Sequence, residues 1–356
     1  MAAAEFVPQQ LLRIADANLN RASEGLRVLE DIARLALDNT ELSQKLKIMR
    51  HELLAADATF NEQLIKARDA EHDVGINTLA PGQEEKKELP QMVIANSRRV
   101  QQSLRTIEEL GRTPFPPQLS SDRLRQTRFE LYSIEKELLS QLQRQNKRER
   151  IRGLCAIIDT QALAGRDHAE VARQVIRGGA TIIQLRDKQH GKKELLAIAH
   201  EIKSLCAEHS VLFIINDYLD LALAVDADGL HLGQDDLPLP VARKLLPIGK
   251  VLGCSTHSLE QASAAQAAGA DYIAIGSIYP TPTKENAIII GTETLRQVRQ
   301  TVNLPVMAIG GITRENVGEV TRAGADSVAV IGAILSAGSP EAATREIVAR
   351  MVAQDE

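Results

Sequence analysis

The second part of the chain carries eight short apolar runs rich in β-branched residues, and this rhythm constrains the fold more than any other feature. The runs are LCAIID (154–159), TIIQLR (181–186), VLFIIND (211–217), DGLHLG (228–233), VLGCS (251–255), DYIAIGS (271–277), PVMAIGG (305–311) and SVAVIG (327–332). Segments of helical composition separate most of them, and GGA or AGA closes three of these segments directly before a strand. Eight alternating units predict a (β/α)₈ TIM barrel. An open doubly wound sheet is the alternative, but no longer central crossover interrupts the rhythm, which favours closure.

The first 150 residues follow a different pattern, in which apolar residues recur at helical spacing. One such stripe consists of Leu131, Ile134, Leu138 and Leu142. The segment TPFPP at 113–117 interrupts the pattern, because proline cannot continue a helix. We therefore predict an α/β protein in which an all-α domain at 1–150 precedes the barrel domain at 151–356. A chain of 356 residues is long enough for two domains.

The helical part contains an internal repeat, in which residues 17–34 align without a gap with residues 95–112. Seven of the eighteen aligned positions are identical, and five of the seven are polar. The identities are Ala17/Ala95, Asn18/Asn96, Arg21/Arg99, Leu26/Leu104, Arg27/Arg105, Glu30/Glu108 and Arg34/Arg112. A repeat kept for packing should preserve mainly apolar residues, so the polar identities indicate a site or a salt-bridge lattice. The alternative is surface decoration, because Glu30 and Arg34 have the i, i+4 spacing of an exposed ion pair.

Composition and charge exclude several classes of partner. The net charge is −5, with 44% hydrophobic and 25% charged residues, so neither nucleic acid nor an anionic membrane is expected as a partner. No run approaches the roughly 18 apolar residues of a membrane span, and the N-terminus lacks the layout of a signal peptide. The three cysteines are far apart and odd in number, which predicts reduced thiols. We therefore expect a cytoplasmic protein.

Barrel enzymes carry their chemistry at the C-terminal ends of the strands, and here those positions hold polar residues or glycines after successive strands. In strand order the candidates are Gln184, Arg186 and Lys188; Asn216 and Asp217; His231 and Asp236; Ser255 and His257; Thr281, Thr283 and Lys284; Gly310 and Gly311; and Ile331 and Gly332. Each of them alone has a structural explanation as a cap or a loop residue, and the two histidines lack metal-ligand spacing. The prediction of a site depends on their convergence at one end of the barrel.

The candidates separate into two sub-sites by chemical type. Glycines after the seventh and eighth strands let backbone N–H groups approach a ligand, which predicts binding of a phosphate monoester. On the other side, Arg186, Lys188 and Lys284 supply three cations, while Asp217 and Asp236 supply two carboxylates. Mg²⁺ is commonly held by one or two carboxylates together with phosphate oxygens and water. The sequence therefore predicts Mg²⁺ and a diphosphate at this second sub-site.

Seven motifs of the barrel part closely resemble those of thiamine phosphate synthases. They are QLRDK, IIND, GLHLGQDD, GCSTHS, IAIGSIYPTPTK, AIGGIT and VAVIGAI, in this order, over about 151–345. The resemblance implies a (β/α)₈ enzyme that joins 4-amino-5-hydroxymethyl-2-methylpyrimidine diphosphate to hydroxyethylthiazole phosphate, giving thiamine phosphate and diphosphate. It also implies a dissociative reaction, in which the diphosphate leaves first and the thiazole nitrogen captures the pyrimidine methylene cation.

The resemblance assigns roles to individual residues. Asp217 and Asp236 would ligate Mg²⁺, and the three cations named above, together with Ser255 at the pyrimidine, would be catalytic. The implied substrate-binding residues are Gln184, Leu185, Arg186, Asp187, Lys188, Asn216, Ser255, Thr281, Pro282, Thr283, Lys284, Gly311, Ile331 and Gly332. Many family members have serine where this chain has Gly332, so we expect one hydroxyl contact to the thiazole phosphate to be missing and phosphate binding to be somewhat weaker.

The helical part resembles a family that is fused to, or encoded with, thiamine phosphate synthases in some bacteria. Its marks are NRASEGLRVLED (20–31), MRHEL (49–53) and HDVGIN (72–77). That resemblance implies a kinase of hydroxymethylpyrimidine phosphate, and the residues expected at phosphates are Arg21, Arg27, Arg99 and Arg105. No P-loop or Gly-rich nucleotide motif supports kinase chemistry independently. A docking and dimerisation domain is therefore the alternative, and the sequence is compatible with a homo-oligomer.

Two alternatives stay open for the barrel. Thiazole tautomerases resemble it and share an S-x-H segment like Ser255–His257, but they lack the PTxTK loop and need no diphosphate site. A non-catalytic thiamine-precursor binding protein could keep the phosphate glycines. It would have little reason to combine Asp217, Asp236 and Lys284, which favours the synthase.

Overall fold

The computed structural model of the protein describes residues 8–54, 58–69, 88–113, 121–281 and 288–352. The chain divides into two compact units, 1–142 and 143–356, and each is described here by itself. The division falls within the long helix Ser121–Glu149. The limits 1–150 and 151–356 for the two functional domains stay a prediction.

The first unit is helical, as the spacing of apolar residues predicts. Its helices are α1 (Gln9–Asp31), α2 (Thr40–Leu54), α3 (Ala58–Ala67), α4 (Leu89–Leu110) and α5 (Ser121–Glu149), with a π-helical turn at Ile32–Ala36. The predicted stripe on α5 is buried in the core of this unit. Within the described part of the chain, no helix is long and apolar enough to cross a membrane.

The two copies of the repeat lie on α1 and α4, which pack against each other. Leu26 and Leu104, the apolar identities, are fully buried in the shared core. The helices approach so closely that a Cβ on Gly25 would lie 2.6 Å from Val100 Cγ2. Matched positions of the repeat therefore form the centre of the helical unit.

The polar identities of the repeat bury two glutamates among arginines. Glu30 is 3% exposed and accepts a hydrogen bond from Arg50 Nε at 3.1 Å. Glu108 is 6% exposed and accepts from Arg128 Nε at 2.9 Å and from Arg105 Nη1 at 3.0 Å. The expected i, i+4 pairs are not formed, because each glutamate points into the core towards an arginine of another helix. These residues therefore form a lattice of buried salt bridges and not exposed ion pairs at the surface.

The ion pairs show that the repeat is longer than the aligned windows. Arg50 and Arg128 are separated by the same offset as Glu30 and Glu108, and they occupy matching positions on α2 and α5. At this offset LKIMRHELL (46–54) aligns with LRQTRFELY (124–132), with identical residues at four of nine positions. The duplicated unit is therefore a helix pair, α1–α2 and α4–α5.

The second unit is a closed barrel of eight parallel strands paired in sequence order, which confirms the predicted fold. The strands are β1 (Gly153–Asp159), β2 (Ile182–Arg186), β3 (Leu212–Asn216), β4 (Gly229–Leu232), β5 (Val251–Thr256), β6 (Tyr272–Ile275), β7 (Val306–Ile309) and β8 (Ser327–Val330). The helices are α6 (Thr160–Leu163), α7 (His168–Arg177), α8 (Lys192–Glu208), α9 (Leu219–Ala224), α10 (Leu239–Leu245), α11 (Leu259–Ala267), α12 (Gly291–Thr301), α13 (Val317–Arg322), α14 (Gly332–Leu335) and α15 (Pro340–Val352).

Strand alternation decides which side chains face the barrel interior. On β2, Ile182 belongs to the interior core, while Ile183 and Leu185 pack in the layer between strands and helices. Because side chains alternate along a strand, Gln184 and Arg186 point to the same side as Ile182. The inward positions nearest the C-terminal rim are therefore the polar ones.

Candidate active site

The C-terminal ends of the strands surround a cavity of about 770 Å³. The predicted site residues that line it are Gln184, Arg186, Lys188, Asn216, Asp217, Asp236, Ser255, Thr281, Gly311, Ile331 and Gly332. These residues follow all the strands from β2 to β8. The convergence expected from the sequence is therefore present in the structure.

Two of the described substrate-binding candidates do not line the cavity. Leu185 lies in the outer core of the barrel, and Asp187 is buried within the loop after β2. Pro282, Thr283 and Lys284 lie outside the described residues. Their predicted roles therefore stay predictions.

Two carboxylates face each other at the rim of β3 and β4. Asp217, directly after β3, has the carboxylate of Asp236 beside it. Asp236 Oδ2 also accepts a hydrogen bond from the backbone N–H of Gly233 at 2.7 Å. Burial and the adjacent Asp236 raise the pKa of Asp217 to about 6. Two neighbouring carboxylates, one of them with a raised pKa, form a suitable site for a divalent cation.

Two cations lie beside this acidic pair. Lys188 Nζ is 3.6 Å from Asp217 Oδ2, and its side chain is 58% exposed at the cavity mouth. Arg186 hydrogen-bonds the carboxylate of Asp159, which is buried at the end of β1. Asp159 also accepts from the backbone N–H of Ala162 at 3.0 Å and so caps α6. The carboxylate of Asp159 thereby orients the guanidinium of Arg186, which lines the cavity.

Sequence reasoning missed Asp159 as part of this arrangement. The first strand ends on a polar residue, as β2, β3 and β5 do, and that signal would have identified it. The parallel register pairs Asp159 with Arg186 across β1 and β2, so the contact follows directly from the barrel.

A buried hydrogen-bonded chain positions Ser255. His231 Nδ1 lies 3.0 Å from the hydroxyl of Tyr272, and His231 Nε2 lies 2.9 Å from Ser255 Oγ. Burial lowers the pKa of His231 to about 4, so its imidazole is neutral at physiological pH. Among the described residues, His231 is the hydrogen-bond partner of the buried Tyr272 hydroxyl, which therefore donates to Nδ1. Nε2–H then donates to Ser255 Oγ, which leaves the serine proton for a ligand.

An amide pair lines the adjacent wall. Gln184 Nε2 donates to Asn216 Oδ1 at 3.1 Å. This bond fixes the orientation of both amides and leaves Gln184 Oε1 and Asn216 Nδ2 for a ligand. The pair can recognise a ring that carries both donors and acceptors.

The opposite wall is built from backbone. Gly310 and Gly311 have φ values of 101° and 64°, and a Cβ on Gly311 would lie 2.4 Å from the carbonyl oxygen of Pro280. Tyr279 N donates to Gly310 O at 3.0 Å, so the loop after β6 is attached to the end of β7. Gly332 begins α14 after β8, and a Cβ placed on it would meet nothing within 4 Å. The backbone after β7 is therefore packed against the loop after β6, whereas open space lies beside Gly332 after β8.

Comparison with known proteins shows what the two units resemble. A family model described as "Thiamine monophosphate synthase" matches residues 154–334, and that of the ThiD2 family matches residues 13–137. A thiamine-phosphate synthase of Synechococcus sp. (strain CC9311) is 40% identical over 347 residues, covering 95% of this chain and 95% of the relative. This chain belongs to the thiamine-phosphate synthase family.

Other members of the thiamine-phosphate synthase family support the same conclusion. One from Prochlorococcus marinus (strain MIT 9313) is 39% identical over 348 residues, covering 96% of this chain and 97% of its own. The solved thiamine phosphate pyrophosphorylase from Pyrococcus furiosus is 39% identical, with a TM-score of 0.54. It covers 58% of this chain and 100% of its own. The predicted family, barrel and class of enzyme are confirmed, so the chain is a transferase of thiamine biosynthesis.

Proposed function

We propose that this enzyme joins the pyrimidine diphosphate and the thiazole phosphate at the barrel cavity. The observation that carries the proposal is the pairing of Asp217 with Asp236 beside Arg186 and Lys188. Two close carboxylates favour a cation, and a cation beside arginine and lysine favours a diphosphate. A thiazole tautomerase needs no diphosphate site, and a mere binding protein needs no such charge concentration.

Metal assistance is general in this family, and we propose Mg²⁺ held by Asp217 and Asp236. The donor set fits, because both residues offer hard oxygen ligands and the raised pKa of Asp217 reflects burial and a second carboxylate. When bound, Mg²⁺ would neutralise charge on the departing diphosphate. Arg186 and Lys188 would bind the remaining phosphate oxygens, and we propose that Lys284 joins them.

The remaining residues would orient the two rings. Gln184, Asn216 and the donor hydroxyl of Ser255 would hold the pyrimidine through its ring nitrogens and amino group. The backbone N–H groups near Gly311 and Gly332 would bind the thiazole phosphate, with Thr281 beside them. We propose that Thr283, Pro282 and the Ile331 backbone complete this sub-site. Holding both substrates in one cavity brings the thiazole nitrogen next to the carbon that loses diphosphate.

A dissociative reaction needs no enzyme nucleophile. All three cysteines are buried, and burial raises the pKa of the Cys155 thiol to about 12. Neutral, enclosed thiols are poor nucleophiles. They also suit a reducing compartment, and we propose that the enzyme is cytoplasmic.

The direct test is thiamine phosphate formation by the full chain from the two precursors. We expect product and diphosphate in equal amounts with Mg²⁺, and very little product after chelation. Product formation that chelation leaves unchanged would overturn the metal assignment. Tautomerisation of a thiazole carboxylate without any coupling would support the tautomerase instead.

Lys284 offers a sharper test of the charge arrangement. Lys284→Ala should lower kcat by about 10²-fold, which is the usual effect of removing one charge contact to a transition state. Lys244→Ala, which changes an exposed lysine of α10, is the matched control. Turnover within a factor of about three of the parent would remove Lys284 from the proposed mechanism.

For the helical unit we propose phosphorylation of hydroxymethylpyrimidine phosphate, with docking and dimerisation as the alternative. The match to the ThiD2 family supports the kinase. Arg27 and Arg105 are each paired with acidic residues of their own helices, whereas Arg21 and Arg99 are exposed and have no ion pair with any described residue. We therefore assign phosphate binding to Arg21 and Arg99 first.

The full chain should be incubated with ATP and the pyrimidine monophosphate. Appearance of the diphosphate and ADP, lost in an Arg21→Ala/Arg99→Ala variant, is the expected result. No diphosphate from the parent, together with concentration-dependent mass in sedimentation, would favour docking. Synthase activity measured on the same samples keeps the two units distinguishable.

A further inference from the structure

A second group of metal-ligating side chains lies beneath the loop after β2. His168 Nε2, an oxygen of Asp187 and His190 Nδ1 all lie within 4.8 Å of one another. His190 Nδ1 is 2.6 Å from Asp187 Oδ2, and His168 Nε2 is 4.0 Å from the same oxygen. His168 begins α7, whereas the other two residues belong to the loop between β2 and α8. The cluster therefore joins two loops of the barrel.

The carboxylate is fixed by the backbone on one side only. Asp187 Oδ1 accepts hydrogen bonds from the N–H groups of Gln189 and His190 at 2.8 and 2.9 Å. Its second oxygen, Oδ2, accepts a hydrogen bond from the Thr160 hydroxyl at 2.6 Å and also lies beside the two imidazoles. Burial raises the pKa of Asp187, but the hydrogen bonds outweigh burial, and the net pKa is lowered. Such a carboxylate is ionised and already oriented, as a metal ligand must be.

The outer contacts also resemble those around protein metal sites. His190 Nε2, the nitrogen pointing away from Asp187, lies 3.4 Å from a carboxylate oxygen of Glu194. Histidines that bind metals usually donate their other ring N–H to a carboxylate or carbonyl. Burial lowers the pKa of His168, whereas the hydrogen bond to Asp187 raises the pKa of His190, so a bound metal ion would have to displace the proton between His190 and Asp187. Thr160 Oγ1 lies 2.9 Å from His168 Nε2 and supplies a neighbouring hydroxyl.

We propose that His168, Asp187 and His190 bind a divalent transition-metal ion of the zinc class. Two imidazoles and one carboxylate suit zinc better than magnesium, and three protein ligands leave a fourth position for water. The site differs from the Asp217–Asp236 pair in its ligands and in the metal it selects.

The ion would tie the loop that follows β2 to the start of α7. That loop begins after Arg186 and contains Lys188, so its position determines where one proposed diphosphate contact lies. The metal would act as a positioning element for Lys188. It would take no part in the bond that breaks.

The test is binding of Co²⁺ and Zn²⁺ by the full chain, stripped of metal and supplied with excess Mg²⁺ to occupy the oxygen-rich site. We expect a single transition-metal site with visible Co²⁺ absorption typical of four-coordinate nitrogen and oxygen ligands. A His168→Gln/His190→Gln variant should bind at least about tenfold more weakly. His200→Gln/His209→Gln, which changes two exposed histidines, is the matched control and should bind like the parent.

Two further measurements keep the outcome decisive. If the double variant does not melt cooperatively, His190→Gln alone replaces it, because this side chain is 27% exposed. Zinc X-ray absorption of the parent should show two imidazole ligands. Absence of transition-metal binding, unchanged binding in the histidine variant, or a zinc spectrum without imidazole would each overturn the proposal.

Discussion

Two carboxylates, the buried Glu108 in the helical unit and the half-buried Asp217 in the barrel, have pKa values that are shifted in opposite directions. For Glu108, burial raises the pKa, but hydrogen bonds from Arg128 and Arg105 outweigh it, and the net pKa is lowered. For Asp217, burial and the neighbouring Asp236 act together, and the pKa rises to about 6. The first carboxylate is neutralised by its own domain, whereas the second is placed next to a like charge.

The difference separates a structural charge from a functional one. An ion pair completed inside one domain stabilises the fold and needs no ligand to neutralise its charges. Two acidic oxygens held together repel each other and destabilise the empty site, and a bound cation removes this repulsion. The direction of the net pKa shift therefore tells more about function here than burial does, because burial raises the pKa of both residues.

The largest effect should come from Asp217→Asn. Removing one proposed metal ligand should lower Mg²⁺-dependent synthesis by about 10²-fold. The same change removes a strained charge, so it should raise the free energy of unfolding in metal-free buffer at pH 8 by ~1–3 kcal/mol. Asp220→Asn, at an exposed ion pair, is the control for both measurements. A destabilised, fully active Asp217→Asn enzyme would reverse the comparison.

Glu108→Gln should have the opposite effect on stability. It leaves Arg128, which is 16% exposed, without its charged partner, and we expect a loss of roughly 2–4 kcal/mol in chemical denaturation. Synthase activity of the folded variant should be retained. Glu130→Gln changes an exposed residue of α5, the helix that carries Arg128, and should cost less than about 0.5 kcal/mol. Equal stabilities for the two variants would show that the lattice is decoration.

Acidification should weaken metal binding at the barrel. A carboxyl with a raised pKa takes up a proton as the pH falls through about 6, and the protonated form is a poor ligand. Each pH unit below that value should therefore raise the Mg²⁺ concentration for half activation by about tenfold. The stability penalty of ionised Asp217 has the opposite pH dependence: it develops as the pH rises from the ordinary aspartate pKa of 3.8 to the raised pKa of about 6. Mg²⁺ titrations at several pH values, with equal results at pH 5 and 7.5, would contradict the assignment.

Gly332→Ser should have the smallest effect. A Cβ at this position meets nothing within 4 Å, so the hydroxyl can be added without displacing neighbours. One additional hydrogen bond to a phosphate should lower KM for the thiazole phosphate by roughly threefold to tenfold, with kcat unchanged. Gly338→Ser, also in open space, is the control. A higher KM would mean that the phosphate lies elsewhere.

The fold was predictable because each element carries a local signal. Runs of β-branched residues predict the eight strands, and composition predicts the helices between them. The number of strands predicts that the sheet closes into a barrel. The division between the units was harder to locate, since α5 continues through it without a change in helical pattern.

The site was predictable where position along a strand decides function. Arg186 and Ser255 lie at the C-terminal ends of strands, Asp217 and Asp236 follow strands, and all four line the cavity. Asp187 has the same position in sequence, yet the backbone N–H groups of its own loop turn its carboxylate away from the cavity. Such a turn depends on loop geometry, which alternation along a strand cannot predict.

The glycine pair after β7 limits how this enzyme family can vary. A Cβ on Gly310 would lie 2.7 Å from the Cα of Ser277, and one on Gly311 would meet the carbonyl oxygen of Pro280. Both obstacles are backbone atoms, so no exchange of side chain on the facing loop can make room. Evolution of this wall should therefore proceed by insertions and deletions in the loop after β6, while the two glycines stay unchanged.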